Sequence, residues 1–95
     1  MARIEIARLD VSHAVDKLWR HGLHPDQVLS VLNRRWVATR NRTGRAAPYL
    51  LIGRDEQGRC LTMPIVATDD PLTWRVITGW TCKPSEAARL RQRRA

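Results

Sequence analysis

Arg75 stands in the middle of a segment that otherwise has the pattern of a buried strand. Residues 74–80 read WRVITGW, and their alternation places Trp74, Val76 and Trp80 on one face and Arg75 on the other. An arginine buried without a partner is costly, because its charge loses water and gains nothing in return. We therefore predict that Arg75 faces an anionic ligand from outside the chain, or an acidic protein that imitates one.

The chain carries a strong positive charge, most of it on arginine. Seventeen basic residues, 15 of them arginine, exceed nine acidic residues and leave a formal net charge of +8. Arginine presents a planar fork of donors that matches phosphate oxygens. A GC-rich genome would explain arginine in place of lysine, but it would not explain the excess of positive charge. The expected partner is therefore a nucleic acid, either RNA alone or the ribosome.

Two blocks hold much of this charge, and most acids lie outside them. The first block spans residues 34–45, and it contains five arginines and no acid. These arginines are Arg34, Arg35, Arg40, Arg42 and Arg45. The second block begins at Lys83 and includes Arg89, with Glu86 as its single acid. The blocks predict a groove that follows an RNA backbone; the alternative is a solvated loop and tail, which we favour for the C-terminal end.

The cysteines and histidines do not form a recognisable metal motif. Cys60 and Cys82 are far apart in sequence and do not belong to a CxxC pair, and the three histidines show no ligand spacing relative to them. We expect both cysteines to be buried in apolar surroundings, and we expect neither a metal nor another cofactor.

The length of the chain and its apolar runs limit its organisation. Ninety-five residues suit one domain, residues 1–95, with residues 88–95 as a basic C-terminal tail. The apolar runs are shorter than the roughly 18 residues of a membrane span, and the N-terminus lacks the apolar region of a signal peptide. A cytoplasmic protein without membrane contact is expected.

Apolar periodicity predicts an N-terminal strand followed by two helices. The strand covers residues 2–8, with its isoleucines inward. The first helix runs from about residue 12 to residue 21 and ends at Gly22, and the second begins at Pro25.

The rest of the chain is predicted to be mainly strands. Four strand-like runs lie at residues 34–40, 48–55, 59–68 and 73–81. DEQG (55–58) is a turn sequence between two strands that would pair as a hairpin, and a last helix starts near Pro84. Pro64 cannot donate a hydrogen bond, so we expect a bulge or an unpaired position there. The prediction is an α+β fold of order β-α-α-β-β-β-β-α, with an antiparallel sheet and helices packed on one face.

Four segments in the same order resemble the BrnT-type toxins of type II toxin–antitoxin systems. They are RHGLHPDQVLSVL (20–32), LIGRDEQGRCLTMPIV (51–66), RVITGW (75–80) and KPSEAARL (83–90). BrnT-type toxins have the RelE/ParE-like fold and cleave RNA without a metal ion. The resemblance covers about residues 12–90. It implies the same fold, inhibition of translation by ribonuclease activity, and a cognate antitoxin that masks the active face.

The resemblance also assigns catalytic residues by position. They are His21, Arg54, Arg59, Arg75 and Glu86. The sequence departs from the family pattern at three places: Trp80 stands where a second arginine is usual, Lys83 where a small capping residue is usual, and Leu90 where a tyrosine is usual. A cation and a hydroxyl group of the expected site are therefore missing.

Cleavage of this type requires attack of the ribose 2′-OH on the adjacent phosphate. The three arginines of the catalytic set would stabilise the charge that accumulates on phosphorus. His21 would move protons, with His24 or Glu86 as alternatives. Trp80 and Trp74 would stack on a base.

Each of these residues also has a structural explanation. His21 would close a helix C-terminus, and Glu86 would cap the last helix three residues after Lys83. The hairpin arginines would pair with acids of their own turn, and the tryptophans would lie in the core. The alternative function is accordingly a non-catalytic RNA- or ribosome-binding protein of RelE-like fold that has lost cleavage. A third possibility is an interaction module for an acidic protein.

Overall fold

The fold places helices on both sides of one mixed sheet. A computed structural model describes residues 4–42 and 47–92. In these ranges the strands are β1 (Arg8–Asp10), β2 (Trp36–Arg40), β3 (Tyr49–Arg54), β4 (Cys60–Ala67), β5 (Thr73–Val76) and β6 (Trp80–Thr81). The helices are α1 (Val15–Arg20), α2 (Pro25–Leu29) and α3 (Pro84–Gln92), with a 3₁₀ helix over Ser30–Asn33. The strand order is β1-β5-β4-β3-β2, and β6 pairs with β4 beyond the end of β5.

The α+β class is confirmed, but the prediction of an antiparallel sheet is wrong at one edge. Strands β2 to β5 form three antiparallel pairs, whereas β1 runs parallel to β5 with Leu9 beside Trp74. Antiparallel neighbours can be joined by tight turns, which leave no choice of direction. β1 and β5 are separated along the chain by α1, α2 and the strands β2 to β4, so no tight turn fixes their relative direction. The first strand also lies later than predicted, although Ile4 and Ile6 pack against the core as expected.

The prediction that the helices pack on one face is wrong as well. Side chains alternate along β3, and Leu51 belongs to the main core with Leu18 of α1 and Val28 of α2. The adjacent Ile52 belongs to a second cluster with Leu90 of α3. We call the two sides of the sheet the hairpin face, covered by α1 and α2, and the α3 face. Since β3 is apolar on both sides, each side requires its own cover.

Local signals set the end of α1 and the start of α2, as predicted, although α1 begins at Val15 and not near residue 12. Gly22 has φ +73° and follows α1, and the N–H of Leu23 donates to the carbonyl of Leu18, so the helix closes in a Schellman motif. Pro25 occupies the first turn of α2. The cap itself is His24, whose Nδ1 accepts from the N–H of Asp26 at 3.1 Å.

Pro64 pairs with Leu50 on β3 but lies between the β4 residues that pair with β5 and those that pair with β6, so the predicted unpaired position is found on one side of β4 only. The carbonyl of Pro64 accepts from the N–H of Ile77 at 3.0 Å. In an antiparallel ladder the N–H and C=O of one residue point to the same neighbour, so the missing donor of Pro64 also lies on this side. The predicted strand 73–81 therefore splits into β5 and β6. Trp80 ends on the α3 face while Trp74 packs on the hairpin face, so the prediction of one shared face is wrong for these two residues.

α3 spans Pro84–Gln92, so it includes residues 88–92 of the predicted basic tail. Residues 93–95 lie outside the described ranges. Leu90 is 2% exposed and supplies the apolar contact of α3 with the sheet. Within the described residues, each helix is too short or too polar to cross a membrane.

Cys60 and Cys82 form a disulfide, in place of the predicted separate burial in apolar surroundings. Pairing of β4 with β6 brings their Cα atoms to 5.3 Å, and the N–H of Cys82 donates to the carbonyl of Cys60 at 2.9 Å. Both residues are partly exposed and pack against Val37, Ile52 and Leu90. The bond therefore ties β4 to the segment that leads into α3.

Reduction of this disulfide should destabilise the protein measurably. The two cysteines are 22 residues apart in sequence. The bond between them lowers the conformational entropy of the unfolded chain, and this stabilises the folded state by about 3 kcal/mol. We expect dithiothreitol to lower the free energy of unfolding by about that amount in urea titrations. The doubly substituted variant Cys60→Ser/Cys82→Ser is the control and should not respond to dithiothreitol. An unchanged unfolding curve of the wild-type protein after reduction would contradict the predicted contribution.

Candidate nucleic-acid interface

Three arginines border one cleft at the end of the sheet where β2 begins and β3 ends. The cleft has a volume of about 360 Å³ and is lined by Arg34, Arg35, Arg54 and Leu90. Trp36 pairs with Gly53 across the strands, so the residues just outside this pair, Arg35 and Arg54, come close together. We call this feature the arginine cleft.

Two of these guanidinium groups are held by the β3–β4 turn, residues 55–59. Nη2 of Arg34 donates to the carbonyl of Glu56 at 2.9 Å. Nη1 of Arg54 donates to the carbonyl of Gly58 at 2.9 Å. A carbonyl orients a guanidinium group but does not neutralise it, and each group has further N–H donors for a ligand. These two contacts therefore leave the positive charge of Arg34 and Arg54 in place.

Three arginines outside the arginine cleft, Arg8, Arg59 and Arg75, lie close to carboxylates of this chain. In the described ranges, Arg8 pairs with Asp70 at 2.7 Å, and the arginine cleft has no such partner. The N–H of Leu72 and the Arg8 guanidinium lower the pKa of Asp70 to about 2, so the carboxylate of this pair is ionised at neutral pH. The nine acids of the sequence are too few to pair all 15 arginines, and the three arginines of the arginine cleft are among those without a carboxylate partner in the described residues.

Arg59 lies in a second cleft, of about 320 Å³, on the other side of the β3–β4 turn. Its Nε is 3.6 Å from a carboxylate oxygen of Asp55, and its Nη2 donates to the side chain of Gln57 at 3.0 Å. His24 borders the same cleft, and so do the acids Asp26, Asp55 and Glu56. This cleft thus combines one histidine and one arginine with a negative lining.

Arg75 has the local partner that its sequence did not reveal. The parallel pairing of β1 with β5 places Asp10 directly beside it, and its Nε lies 3.9 Å from the Asp10 carboxylate. That Nε is buried and makes no hydrogen bond, while 43% of the side chain is exposed. Asp10 is also bound by the hydroxyl and N–H of Ser12, which lower its pKa. Arg75 is therefore partly neutralised from within the chain.

The hairpin arginines and Arg75 do not share a site. Arg54 pairs with Cys60 on β4, and Arg75 pairs with Val66 six residues further along that strand. At a rise of about 3.3 Å per residue, this separation is roughly 20 Å. Arg59 points to a different cleft from Arg54. The three arginines of the predicted catalytic set thus lie in three different places.

Two of the three predicted proton-transfer residues, His21 and Glu86, occupy structural positions. His21 is the exposed C-terminal cap residue of α1. Glu86 is buried at the start of α3, where one carboxylate oxygen accepts from the hydroxyl of Thr62, the indole of Trp80 and the N–H of Lys83. This confirms the capping explanation for Glu86.

The tryptophans also have structural partners. Nε1 of Trp74 donates to the carbonyl of Glu5 at 3.0 Å, and its ring meets Tyr49 edge to face in the hairpin-face core. Trp80 is half-buried against Glu86, with Nζ of Lys83 6.0 Å from its ring centre. Because the Lys83 ammonium group lies over one side of the Trp80 ring, an RNA base would not stack on that side.

The remaining predicted RNA-binding residues fall in different settings. Arg40, at the end of β2, lies 6.0 Å from the ring centre of Tyr49. Arg42 and Arg89 are exposed. Arg45 lies outside the described residues. The first basic block therefore divides, since Arg34 and Arg35 belong to the arginine cleft just before β2 and Arg40 lies at the far end of that strand.

Sequence reasoning did not find the carboxylate that organises the β3–β4 turn. Asp55 is 1% exposed and accepts from the N–H groups of Gln57 and Arg59, both at 2.9 Å, and from the side chain of Gln27 at 2.8 Å. Burial opposes its ionisation, but these hydrogen bonds together outweigh burial and lower its pKa. The signal in the sequence was Asp at the first position of DEQG, where its side chain can bond the backbone two residues on.

The sequence matches no family model and no curated protein. No group of three or more histidine, cysteine, aspartate or glutamate side chains in the described part of the chain is placed to hold a metal ion. The arrangement of charge in the structure is therefore the main guide to function.

Removal of the Glu86 carboxylate should destabilise the protein without removing a ligand-binding group. The variant Glu86→Ala leaves the Trp80 indole and the Lys83 N–H without their acceptor, at a cost of about 2 to 4 kcal/mol in the free energy of unfolding. Glu86→Gln retains an acceptor oxygen and should cost clearly less. Urea denaturation measures both variants. Equal, small effects would mean that Glu86 is not the structural cap described above.

Proposed function

We propose that this protein binds RNA through the arginine cleft. The observation that carries the proposal is the convergence of Arg34, Arg35 and Arg54 without a carboxylate partner in the described residues. Held guanidinium groups with free N–H donors suit phosphate oxygens, because two parallel hydrogen bonds accompany the ionic attraction. A flexible surface arginine would lose more side-chain entropy when it bound the same phosphate.

The net charge supports a polyanion over a small anionic ligand. The excess of +8 extends beyond the cleft, since Arg42 and Arg89 are exposed and add charge elsewhere on the surface. Polyanion binding draws on such distributed charge through the release of counterions. The resemblance to BrnT-type toxins supports RNA as the polyanion, and it is the reason to place translation among the affected processes.

Ribonuclease activity of a toxin is the second candidate, and one cleft favours it. His24 and Arg59 border the same space of about 320 Å³, so a proton-transfer group and a guanidinium group would meet one ligand there. A cognate antitoxin would then present acidic side chains to the arginines. Geometry favours binding over cleavage, because Arg75 is roughly 20 Å from Arg54 along β4 and Glu86 is occupied as a cap. The acids Asp26 and Glu56 also repel phosphate from the His24 cleft.

Loss of the cleft arginines should weaken RNA binding in a salt-dependent manner. We expect Arg34→Ala, Arg35→Ala and Arg54→Ala each to raise the Kd for a labelled single-stranded RNA about fivefold to tenfold. Each should also reduce the slope of log K against log salt by about 0.7, the value for one lost phosphate contact on a single strand. Fluorescence anisotropy at several salt concentrations measures both quantities.

Arg8→Ala is the charge-matched control for this experiment. Arg8 is exposed and paired with Asp70 on the opposite edge of the sheet, so its loss changes the net charge equally but should leave the slope unchanged. Equal weakening by all four variants would show that binding is diffuse and would remove the cleft from the proposal. A DNA of the same sequence tests whether the sugar matters.

The two candidate functions differ in what happens to the RNA. The binding function predicts that labelled RNA stays intact with excess protein. Cleavage would instead produce 2′,3′-cyclic phosphate ends, which should disappear in His24→Ala and Arg59→Ala but persist in Arg75→Ala. We expect intact RNA, and cyclic ends with this dependence would establish the toxin-like activity in its place.

A further inference from the structure

We propose that Asp55 is a positioning residue of the arginine cleft, acting through the turn that it organises. The proposal rests on the RNA-binding function given above. Asp55 does not line the arginine cleft; its role follows from two successive sets of hydrogen bonds. Specificity for a phosphate ligand would thus depend on a buried acid, which is the opposite of what its charge alone would suggest.

The first set of bonds fixes the backbone of the β3–β4 turn. One carboxylate oxygen of Asp55 accepts from the N–H groups of Gln57 and Arg59, each at 2.9 Å. The other oxygen accepts from the side chain of Gln27 at 2.8 Å. The hydroxyl of Ser30 accepts from the N–H of Glu56 at 3.2 Å, so the turn is also attached to the 3₁₀ helix. The turn is therefore held at several points of its backbone.

The second set of bonds transfers this order to the arginines. The carbonyls of Glu56 and Gly58 belong to the same turn, and they accept from Arg34 and Arg54 respectively, each at 2.9 Å. Gly58 has φ +86°, a conformation that side-chain-bearing residues rarely adopt, so the direction of its carbonyl depends on glycine at this position. Two of the three cleft guanidinium groups are thus oriented by backbone atoms that Asp55 holds in place.

Positioning and simple electrostatics predict effects of opposite sign. Removal of a negative charge near an RNA-binding surface raises the local potential and should tighten RNA binding. Loss of the turn geometry releases Arg34 and Arg54 and should weaken it, because each must then be ordered by the ligand. The sign of the change in Kd therefore distinguishes the two roles of Asp55.

The first test compares Asp55→Asn with Asp26→Asn in the full chain, using the same labelled single-stranded RNA. Both variants lose one negative charge, but Asp26 is exposed and forms no side-chain hydrogen bond or ion pair with the β3–β4 turn in the described residues. We expect Asp55→Asn to raise Kd roughly tenfold and Asp26→Asn to leave Kd unchanged or lower it. Tighter or unchanged binding by Asp55→Asn would overturn the proposal.

A double-mutant cycle separates positioning from general damage to the fold. In an Arg34→Ala/Arg54→Ala background the Asp55→Asn substitution should have little further effect on Kd, because the groups it positions are gone. A full tenfold effect in that background would overturn the proposal. If the arginine substitutions themselves leave Kd unchanged, the RNA-binding function of the cleft fails instead, and the two failures are thereby distinguished.

A pair of glycine variants tests whether the turn backbone positions the cleft arginines, and it changes neither the net charge nor Asp55. Gly58 and Gly22 both have positive φ and open space where a Cβ would be placed, so alanine strains each backbone in the same way. We expect comparable losses of thermal stability but weaker RNA binding, about fivefold, for Gly58→Ala alone. The Nε–Hε signals of Arg34 and Arg54 in NMR spectra should broaden or shift in Gly58→Ala and stay unchanged in Gly22→Ala. Equal RNA affinity and equal arginine spectra in both variants would overturn the proposal, even if Asp55→Asn does not fold.

Discussion

Burial of the central strands on both faces is the constraint from which the rest of the structure follows. Leu51 and Ile52 are adjacent and both fully buried, so neither side of β3 can face water. The helical hairpin covers one side, and α3 has to cover the other. The chain must therefore bring α3 onto the α3 face after β6. The disulfide and the Glu86 cap both lie at this junction between β6 and α3. The arginine cleft is a consequence, since Leu90 forms one of its walls.

Charge is distributed by the same architecture. Where the sheet edge brings an acid beside an arginine, the charge is neutralised within the chain, as in the Arg75–Asp10 and Arg8–Asp70 pairs. At the β2–β3 end, Arg34 and Arg54 instead donate to turn carbonyls, which orient the guanidinium groups without neutralising them. The difference between these two environments separates the structural arginines from those suited to bind phosphate. It also explains why Arg75, the most conspicuous arginine of the sequence, is not the centre of the proposed interface.

Much of the local structure was accessible from the sequence, and the catalytic assignment was not. Gly22, Pro25 and the DEQG turn each act through bonds within a few residues, and each behaves as predicted. Pro64 is similar, because a missing N–H has the same effect in any antiparallel strand. The assignment of one active site to Arg54, Arg59 and Arg75 relied on a resemblance in order, and order along the chain does not specify which way a side chain points. Arg54 and Arg59 lie at the two ends of the β3–β4 turn, and this turn directs them to different clefts.

The sequence by itself determined the α+β class, the end of α1, the start of α2, the β3–β4 hairpin and the excess positive charge, since these follow from short-range periodicity, turn chemistry and composition. Tertiary structure alone decided the direction of β1, the face chosen by α3, the Cys60–Cys82 bond and the partner of Arg75. Each of these depends on residues far apart in the chain becoming neighbours. The physical reason is that pairing is selected by the burial of the whole sheet, whereas a propensity or a periodic pattern reports only on the few residues that it contains.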